Sequence, residues 1–478
     1  MKWKLVIILV SMMLPLLAQN TLQINGINEA EFVYRTAEDS LNAYFSDEFG
    51  FNLAYRDFNF GMKFISDLPK YSNEQTQLMD EIDPNRLSVE WEELYAGFSR
   101  ENFSIHVGTT EETFGNGIVF RSFKDLEFDE DHRLQSFLMR YDGALKLKGI
   151  YGAIDSETNA SRYDIAYGAD AEYPLFAGLR LGASAMAFRN LNPMNTYSYQ
   201  DVFGGRMHYS TSSLEGFGEY ALSKRYKSDL IQQGHAAYAN VDYYVSDLQF
   251  GAAYKNYLGF DYRQNDIPLA NYHGETLADV SASGMDEEGW QARAAYALFD
   301  NYYFSADYAE AWDRSEDRRM NDLYVALDMT LGSGSYQVAW SQIEKVDDGL
   351  SAWQKEYYPT LAGDMRLFGL PVHIKGEFKV MEKRKNEKET EHYEPQIQAD
   401  FALDKLSVSL GLQSWWEEFD TAIDSKYNPN IELKYPLFTH SDLVVFAGKE
   451  QGGKVCRNGV CKFVAPFEGI KAELTTRF

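Results

Sequence analysis

The chain ends in nine residues that alternate between two kinds of side chain, Ile470-Lys471-Ala472-Glu473-Leu474-Thr475-Thr476-Arg477-Phe478. Because successive side chains of a β-strand point to opposite faces, this run predicts a terminal strand with one mostly apolar face. Such a face suits the lipid-facing side of a membrane barrel. A terminal strand that ends in an aromatic residue is also typical of the signal read by the barrel-assembly machinery. We therefore expect that signal to consist of Ile470, Ala472, Leu474 and Phe478.

The same period of two recurs through the chain from Ile24 onward, for example in residues 145–148, 372–379 and 406–413. A soluble β-sandwich also alternates, but here the polar face is often fully charged and no second class of fully buried strand appears. The pattern predicts an all-β fold, a single transmembrane antiparallel barrel of about 24 strands (22–26), because bacterial barrels have even counts. The mature chain has about 19 residues for each strand and its connection, which accommodates a span of 9–11 residues.

The connections between these runs fall into two classes. Tight turns are expected at Arg56-Asp57, Asp142-Gly143, Asp300-Asn301, Gly332-Ser333-Gly334, Gly369-Leu370 and Asp404-Lys405. Long polar connections are expected near residues 68–86, 112–132, 190–201, 262–287, 344–356 and 381–392. This alternation predicts short periplasmic turns, long extracellular loops and periplasmic termini.

The N-terminus has the pattern of an export signal. Lys2 and Lys4 precede an apolar run over residues 6–17, and cleavage after Ala18 gives a signal peptide of residues 1–18. The barrel is then expected over residues 19–478, in the outer membrane. Since strands begin almost at once, we expect no separate plug domain, which argues against a plugged, TonB-dependent transporter.

Composition excludes other classes of protein. The 478 residues carry a net charge of -27, which argues against nucleic acid as a partner. The charge suits solvated loops, or a surface that meets lipopolysaccharide through divalent ions. A mean hydropathy of -0.42 and the lack of a second long apolar run exclude a bundle of membrane helices.

A barrel of this size needs something in its lumen, because barrels of 16–18 strands already leave an aqueous channel. One candidate is the loop 112–132, whose glycines permit sharp bends and whose aromatic side chains suit inward packing. Its expected constriction residues are Phe114, Gly115, Gly117, Phe120 and Phe123. The loop continues into carboxylates that favour cations or hold Ca²⁺, namely Asp125, Glu127, Asp129, Glu130 and Asp131.

Other interpretations of the lumen stay open. The 112–132 loop also reads as a solvated acidic surface loop, and residues 262–287 or a partner protein or lipoprotein are further candidates to occlude the lumen. The charges expected to face the lumen have mixed signs, which favours pairing across the wall over an ion-selective track. They are Lys146, Lys148, Arg180, Lys375, Glu377, Lys379, Glu432 and Glu473.

The two cysteines lie in the hairpin sequence Val455-Cys456-Arg457-Asn458-Gly459-Val460-Cys461. Asn-Gly favours a two-residue turn, which places Cys456 opposite Cys461 at a spacing that a disulfide accepts. The compartment is oxidising, so we expect the bridge, and two thiols without a nearby histidine make a metal site the weaker alternative. This hairpin and the Phe-terminated strand resemble an uncharacterised family of porin-like outer-membrane β-barrel proteins of Bacteroidota. The resemblance implies a large outer-membrane barrel and supplies no catalytic residues.

No motif of catalysis is present. The eight histidines lack H-E-x-x-H spacing, and there is no G-x-S-x-G elbow. We expect no enzyme and no cofactor apart from the calcium ions considered above. The expected function is a porin-like channel for small hydrophilic solutes, with its bore narrowed by in-folded loops. The alternative is a non-conducting barrel that scaffolds or docks partners in an outer-membrane assembly.

Overall fold

The computed structural model describes residues 22–36, 43–68, 87–125, 130–156, 159–191, 196–227, 230–277, 284–385, 388–417, 426–457, 460–464 and 466–478. Across these ranges the secondary structure consists of strands and no helix. None of the described residues forms a helix long and apolar enough to cross a membrane. The expected signal peptide, residues 1–18, lies outside the described residues.

The described residues form strands numbered here along the chain: β1 (Gln23–Arg35), β2 (Ala43–Tyr55), β3 (Phe58–Leu68), β4 (Ser88–Arg100), β5 (Phe103–Thr110), β6 (Glu112–Phe114), β7 (Phe120–Ser122), β8 (Lys124–Asp125), β9 (Glu130–Asp131), β10 (Leu134–Asp142), β11 (Lys146–Ser156), β12 (Asn159–Phe176), β13 (Leu179–Leu191), β14 (Tyr197–Ser210), β15 (Leu214–Lys227), β16 (Leu230–Val245), β17 (Leu248–Leu258), β18 (Asp286–Leu298), β19 (Tyr302–Trp312), β20 (Arg318–Leu331), β21 (Gly334–Asp347), β22 (Ala352–Leu367), β23 (Leu370–Lys385), β24 (Lys388–Leu403), β25 (Leu406–Trp415), β26 (Lys426–Phe438), β27 (Ser441–Glu450), β28 (Gly453–Arg457), β29 (Val460–Val464) and β30 (Phe467–Arg477). Three two-stranded ribbons are formed by β6 with β7, β8 with β9, and β28 with β29. The other strands form one 24-stranded sheet.

The sheet is a closed antiparallel barrel in which each strand pairs with the next one along the chain. The first and last strands close it, with register partners from Ile27↔Arg477 to Arg35↔Gly469. The amide N–H of Phe478 donates to the carbonyl of Gly26 at 3.0 Å. Closure leaves no sheet edge with unpaired backbone groups, which is a requirement for a strand structure in lipid. The prediction of an all-β antiparallel barrel of about 24 strands is confirmed.

Alternate residues of each strand differ in exposure as the period of two predicts. On β15, for example, Tyr220 and Leu222 are exposed, whereas Glu219 and Ala221 are buried. Large exposed apolar side chains thus cover the outer face, while the buried residues between them point into the barrel.

The two ends of the barrel differ in their connections. The six predicted tight turns all lie at one end, the short-turn end, where β1 begins and β30 ends. The opposite, long-loop end carries the longer connections. Three predicted long loops, at 190–201, 344–356 and 381–392, are instead largely strand. β22, β23 and β24 have 16 residues each, more than the 9–11 that cross a bilayer, so they project beyond it.

Candidate functional site: two luminal segments and the cavity beside them

The connection between β5 and β10 folds into the barrel. We call its described residues, 111–125 and 130–133, the first luminal segment. The side chains of Phe114, Ile118, Val119 and Phe120 have no solvent exposure. The rings of Phe114 and Phe120 lie 5.0 Å apart across the β6–β7 ribbon.

This apolar cluster packs against inward-facing apolar residues of eight consecutive strands, β10 to β17. Sequence reasoning expected a polar inner face and missed this surface. It forms a band around one side of the lumen: Leu138, Ile150, Ala166, Met186, Phe188, Val202, Ala221, Ala236 and Tyr257. Its signal in the sequence is the run Ala185-Met186-Ala187-Phe188, which is apolar on both faces of the strand.

Small residues let the first luminal segment approach the wall. A Cβ added to Gly204 of β14 would lie 2.5 Å from Cγ2 of Val119, closer than real carbon atoms pack. Gly115 and Gly117 adopt positive φ angles of 58° and 90°, which favour glycine. The N–H of Asn116 donates to Oε2 of Glu219 on β15 at 2.9 Å, which fixes this bend to the wall.

Ion pairs anchor the other side of the segment. The guanidinium of Arg133, with a side chain 3% exposed, binds Asp131 at 2.8 Å, Glu92 of β4 at 3.4 Å, and Glu93. Although burial opposes its charge, hydrogen bonds from Arg133 lower the pKa of Asp131. Lys124 adds a further bond to Glu92 at 2.5 Å. Such a network holds the segment only while each buried charge keeps its partner.

The residues expected to form the constriction or to bind calcium fall into three groups. Some pack in the apolar cluster, some form ion pairs or ring contacts, and some lie outside the described residues. Phe123 lies under the guanidinium of Arg121, 4.3 Å from its ring centre. Of the calcium candidates, Asp131 is engaged by Arg133, and Glu127 and Asp129 lie outside the described residues. No group of three or more His, Cys, Asp or Glu suited to a metal ion occurs among the described residues. Calcium at Asp125, Glu130 and their neighbours stays a prediction.

The connection between β17 and β18 also folds inward. We call its described residues, 259–277 and 284–285, the second luminal segment. It meets the first through the hydroxyl of Tyr262, which donates to the carbonyls of Ile118 at 2.7 Å and Val119 at 2.9 Å. The N–H of Arg121 donates to the carbonyl of Gln264 at 2.8 Å. The two segments therefore form one luminal body rather than two separate loops.

The second luminal segment then crosses towards β20, β21 and β22. Its His273 makes two hydrogen bonds to buried Asp322 of β20, from the backbone N–H at 3.1 Å and through Nδ1 at 2.7 Å. The ring of Tyr272 stacks on Tyr324 with centres 3.7 Å apart. Glu275 pairs with Lys345 of β21 at 2.6 Å. These contacts fix the tip of the segment to the wall at β20 and β21.

The described residues leave two adjoining cavities beside this tip. The larger, of about 850 Å³, lies between the second luminal segment and the inner faces of β20 to β25. The smaller, of about 490 Å³, lies at the short-turn end. Gln337 of β21 lines both cavities. The larger cavity is lined by aromatic, amide, hydroxyl and charged side chains, as solute-binding sites are.

The eight charges predicted to face the lumen all lie on the face opposite the exposed apolar residues. Most have a partner of opposite charge within the wall or on a luminal segment. Lys148 binds Glu112 at 2.8 Å, and Arg180 binds Glu172 at 3.2 Å. The further pairs are Lys375–Glu377 at 3.2 Å and Lys379–Glu356 at 2.9 Å. The remaining ones on that inner face are Lys146, Glu432 and Glu473, the last of which accepts from Thr475 at 3.2 Å.

At the barrel seam, Phe478 occupies a notch in the first strand. An added Cβ at Gly26 would lie 2.2 Å from the Phe478 ring, and that ring stacks on Phe49 of β2 at 5.8 Å. Ile470 and Phe478 are both exposed on the outer face. The terminal aromatic ring thus bridges the last strand to the first two.

The cysteine hairpin is described only in its backbone. β28 and β29 pair with Cys456 and Cys461 as register partners, as the Asn-Gly turn predicts. The side chains of both cysteines lie outside the described residues, so the disulfide stays a prediction.

A closed antiparallel barrel with an apolar outer face and an occupied lumen is the fold of outer-membrane β-barrel proteins. Residues 1–282 match the model of a family of unknown function, DUF6029, and the chain belongs to this family. This agrees with the expected uncharacterised family of barrels, although the match does not extend to the cysteine hairpin. No curated protein matches the chain.

Solved outer-membrane proteins have a similar fold. The chain is similar to a chain of the E. coli P pilus tip assembly intermediate PapC-PapD-PapK-PapG, with a TM-score of 0.57 and 9% identity, covering 95% of this chain and 60% of that one. It is also similar to the siderophore receptor PirA from Pseudomonas aeruginosa, with a TM-score of 0.50 and 9% identity, covering 96% and 81%. At this identity the likeness shows the fold alone.

Proposed function

We propose that the protein is a porin-like channel of the outer membrane that passes small hydrophilic solutes between its luminal body and the wall of β20 to β25. The observation that carries the proposal is the pair of cavities that share Gln337 in their linings. Together they reach from the short-turn end towards the long-loop end, and the larger one exposes polar and apolar groups in about equal measure. In this proposal the long-loop end faces the cell surface and both termini are periplasmic.

The luminal body sets the bore. Along β10 to β17 it packs an apolar core across the lumen, from which water is excluded, and this core closes off the charged cavity of about 410 Å³ that lies between it and the short-turn end. A solute therefore passes only on the polar side. The larger cavity, at about 850 Å³, falls in the range of sites for small molecules and is far too small for a folded protein.

A conductance measurement on the purified full-length chain in planar bilayers tests the channel. We expect steady ohmic conductance. Ala339→Trp adds a bulky side chain at an inward position that lines the larger cavity, so it should lower the conductance severalfold. Val338→Trp is the matched control, because Val338 is the residue next to Ala339 and its side chain is exposed on the lipid-facing side. Silence from well-folded barrels would refute the channel, and equal conductance in both variants would place the passage elsewhere.

A non-conducting scaffold is the second candidate, and the packed half of the lumen favours it. In this alternative a partner protein or lipoprotein covers the remaining opening. Co-purification after gentle detergent extraction separates the two: a stoichiometric partner together with electrically silent barrels would support the scaffold.

The last strand and the apolar outer face indicate the partners that we propose for assembly and for residence in the membrane. The barrel-assembly machinery would recognise the last strand, and lipid and lipopolysaccharide would contact the outer face. The proposal includes no nucleic acid, no cofactor and no catalysis, since the histidines lack any hydrolase spacing.

A further inference from the structure

The larger cavity has an aromatic side chain on its surface that is only half covered by the rest of the protein. Tyr272, on the second luminal segment, is 48% exposed and lines the cavity. Tyr324 of β20 covers one face of its ring, with an interplanar angle of 9°. Because one face is covered and half of the side chain is still exposed, the other face fronts the cavity. Tyr358 of β22 also lines the cavity and lies beside His273.

The ring of Tyr272 is held in a fixed position. Its neighbour His273 is bound twice by Asp322, which has no solvent exposure. Two residues further on, Glu275 is paired with Lys345. A platform held by these two anchors and by the stacking on Tyr324 loses little conformational entropy when a ligand stacks on it.

The wall opposite this ring supplies neutral hydrogen-bonding groups. Gln337, Gln396 and Gln413 lie on β21, β24 and β25, and all three line the cavity together with Ser341 and Thr360. Gln337 and Gln396 donate to Asp328 and Glu377, and Gln413 accepts from the N–H of Gln451. Because an amide has two donor hydrogens and an acceptor oxygen, each of the three has more hydrogen-bonding capacity than these bonds use. Such groups match a ligand that itself carries many hydroxyl groups.

Several charges around the cavity are compensated in pairs. Lys375 binds Glu377, Lys379 binds Glu356, and Lys379 also lies over the ring of Tyr358. Near the ring, the carboxylates of Asp322 and Asp328 accept hydrogen bonds from His273 and Gln337. These negative charges disfavour an anionic ligand, and carboxylate oxygens accept hydrogen bonds from the hydroxyl groups of a ligand.

We propose that this surface is a saccharide subsite: a neutral sugar ring stacks its C–H face on Tyr272 while its hydroxyls bond to the glutamine amides. The inference rests on the proposed channel, whose solute class it names. Aromatic stacking contributes binding without selecting a charge, and the amides select hydroxylated solutes over apolar ones of the same size.

The test uses single channels of the full-length protein with maltotriose as the probe. We expect reversible, concentration-dependent interruptions of the ion current by maltotriose. Citrate and spermidine, at the same concentrations, should cause none. Tyr272→Ala should weaken the apparent affinity for maltotriose by roughly 2- to 13-fold, the range of an aromatic stacking contact.

Two further variants make the result specific. Tyr272→Phe keeps the ring and should keep the affinity, and Tyr220→Ala, which removes an exposed ring on the outer face, should change nothing. Channels that conduct ions but ignore maltotriose, or that are blocked equally well in Tyr272→Ala, would overturn the subsite and leave the channel intact. Silent barrels would overturn the channel and the subsite together.

Discussion

The closest approach between the first luminal segment and the wall yields a prediction with a defined magnitude. Gly204→Ala places a methyl carbon 2.5 Å from Cγ2 of Val119, whereas carbon atoms pack best at about 3.5–4.0 Å. The segment must therefore shift by roughly 1 Å. Overpacking of this kind costs about 1–3 kcal/mol. Since about 1.4 kcal/mol is a factor of ten, the segment should open roughly 5- to 150-fold more often.

Val119→Ala provides the second side of a double-mutant cycle. The truncation removes two methyl groups from a fully buried side chain, at a cost of about 1.6 kcal/mol. In the double variant the methyl group of residue 204 enters the space that Val119 leaves. The free-energy cost in the double variant should then be lower than the sum of the two single costs by about 1 kcal/mol or more.

Trypsin cleavage after Arg121, followed by mass spectrometry of the folded protein in detergent, reports how often the segment opens. Gly205→Ala is the matched control, because its Cβ would point to the outer face and meet only the carbonyl of Gly182 at 3.9 Å. Additive effects, within about 0.5 kcal/mol, would refute the packing of Val119 on Gly204. Cleavage of Gly205→Ala as fast as that of Gly204→Ala would refute it as well.

Three shorter predictions concern the anchor, the seam and the hairpin. Because the pKa of Asp131 is lowered in the fold, its contribution to stability is full above the unfolded value near 3.8 and is lost as pH falls through the folded pKa. Cleavage of the segment by pepsin, which works in acid where trypsin does not, should accelerate at that limit relative to its rate on the unfolded chain, and Arg133→Met should accelerate trypsin cleavage at neutral pH. A pepsin rate that stays constant over this range, after the same correction, would contradict the role of Asp131. Phe478→Ala should reduce the yield of heat-resistant folded barrel, measured by gel mobility, whereas an unchanged yield would exclude a role of the ring in assembly. If Cys456 and Cys461 form a disulfide, the intact protein should be two mass units lighter before reduction than after it. Labelling of both thiols in unreduced protein would disprove the bridge.

The wall of the barrel could be predicted because its pattern is local. The run over residues 406–413 lies in β25, and the predicted terminal strand became β30, which closes the barrel against β1. Each of these assignments depends only on which residues share a face, and a period of two records that directly. The same locality explains why the tight turns were placed correctly.

The ends of the strands at the long-loop end were harder to place. Residues 381–392 are rich in charge and read as a loop, yet they complete β23 and begin β24. Above the bilayer an outward side chain faces water, so a strand there can be polar on both faces. Opposite charges then pair across neighbouring strands. Arg384 of β23 and Glu389 of β24, for example, are register partners and form an ion pair. The pattern of a loop and that of such a strand are alike in sequence.

The structure of the lumen depends on contacts that no single strand records. Tyr262 and Ile118 are 144 residues apart in the chain, and their hydrogen bond joins the two luminal segments. Each segment was a candidate by itself, but nothing local in either one indicates that they meet. The inward apolar side chains were missed for a related reason. A strand such as β13, apolar on both faces, looks in isolation like a strand with weak alternation.

The composition of the wall determines which side of the lumen is filled. Between β10 and β17 the inner face offers a band of apolar side chains, and an apolar segment gains free energy by covering it, at about 25 cal/mol for each Å² removed from water. Between β20 and β25 the inner face offers Gln337, Lys375 and Gln396, whose polar groups lose hydration if an apolar segment covers them without replacing their hydrogen bonds. The apolar core of the luminal body therefore packs on the first side, and on the second side the body makes polar contacts through His273 and Glu275 and leaves the larger cavity beside them. A charged inner face between β10 and β17 should no longer hold the apolar segment. Replacing Ala221 and Ala236 by glutamate should therefore release the first luminal segment and raise the conductance, whereas glutamate at the outward position of Tyr220 should not.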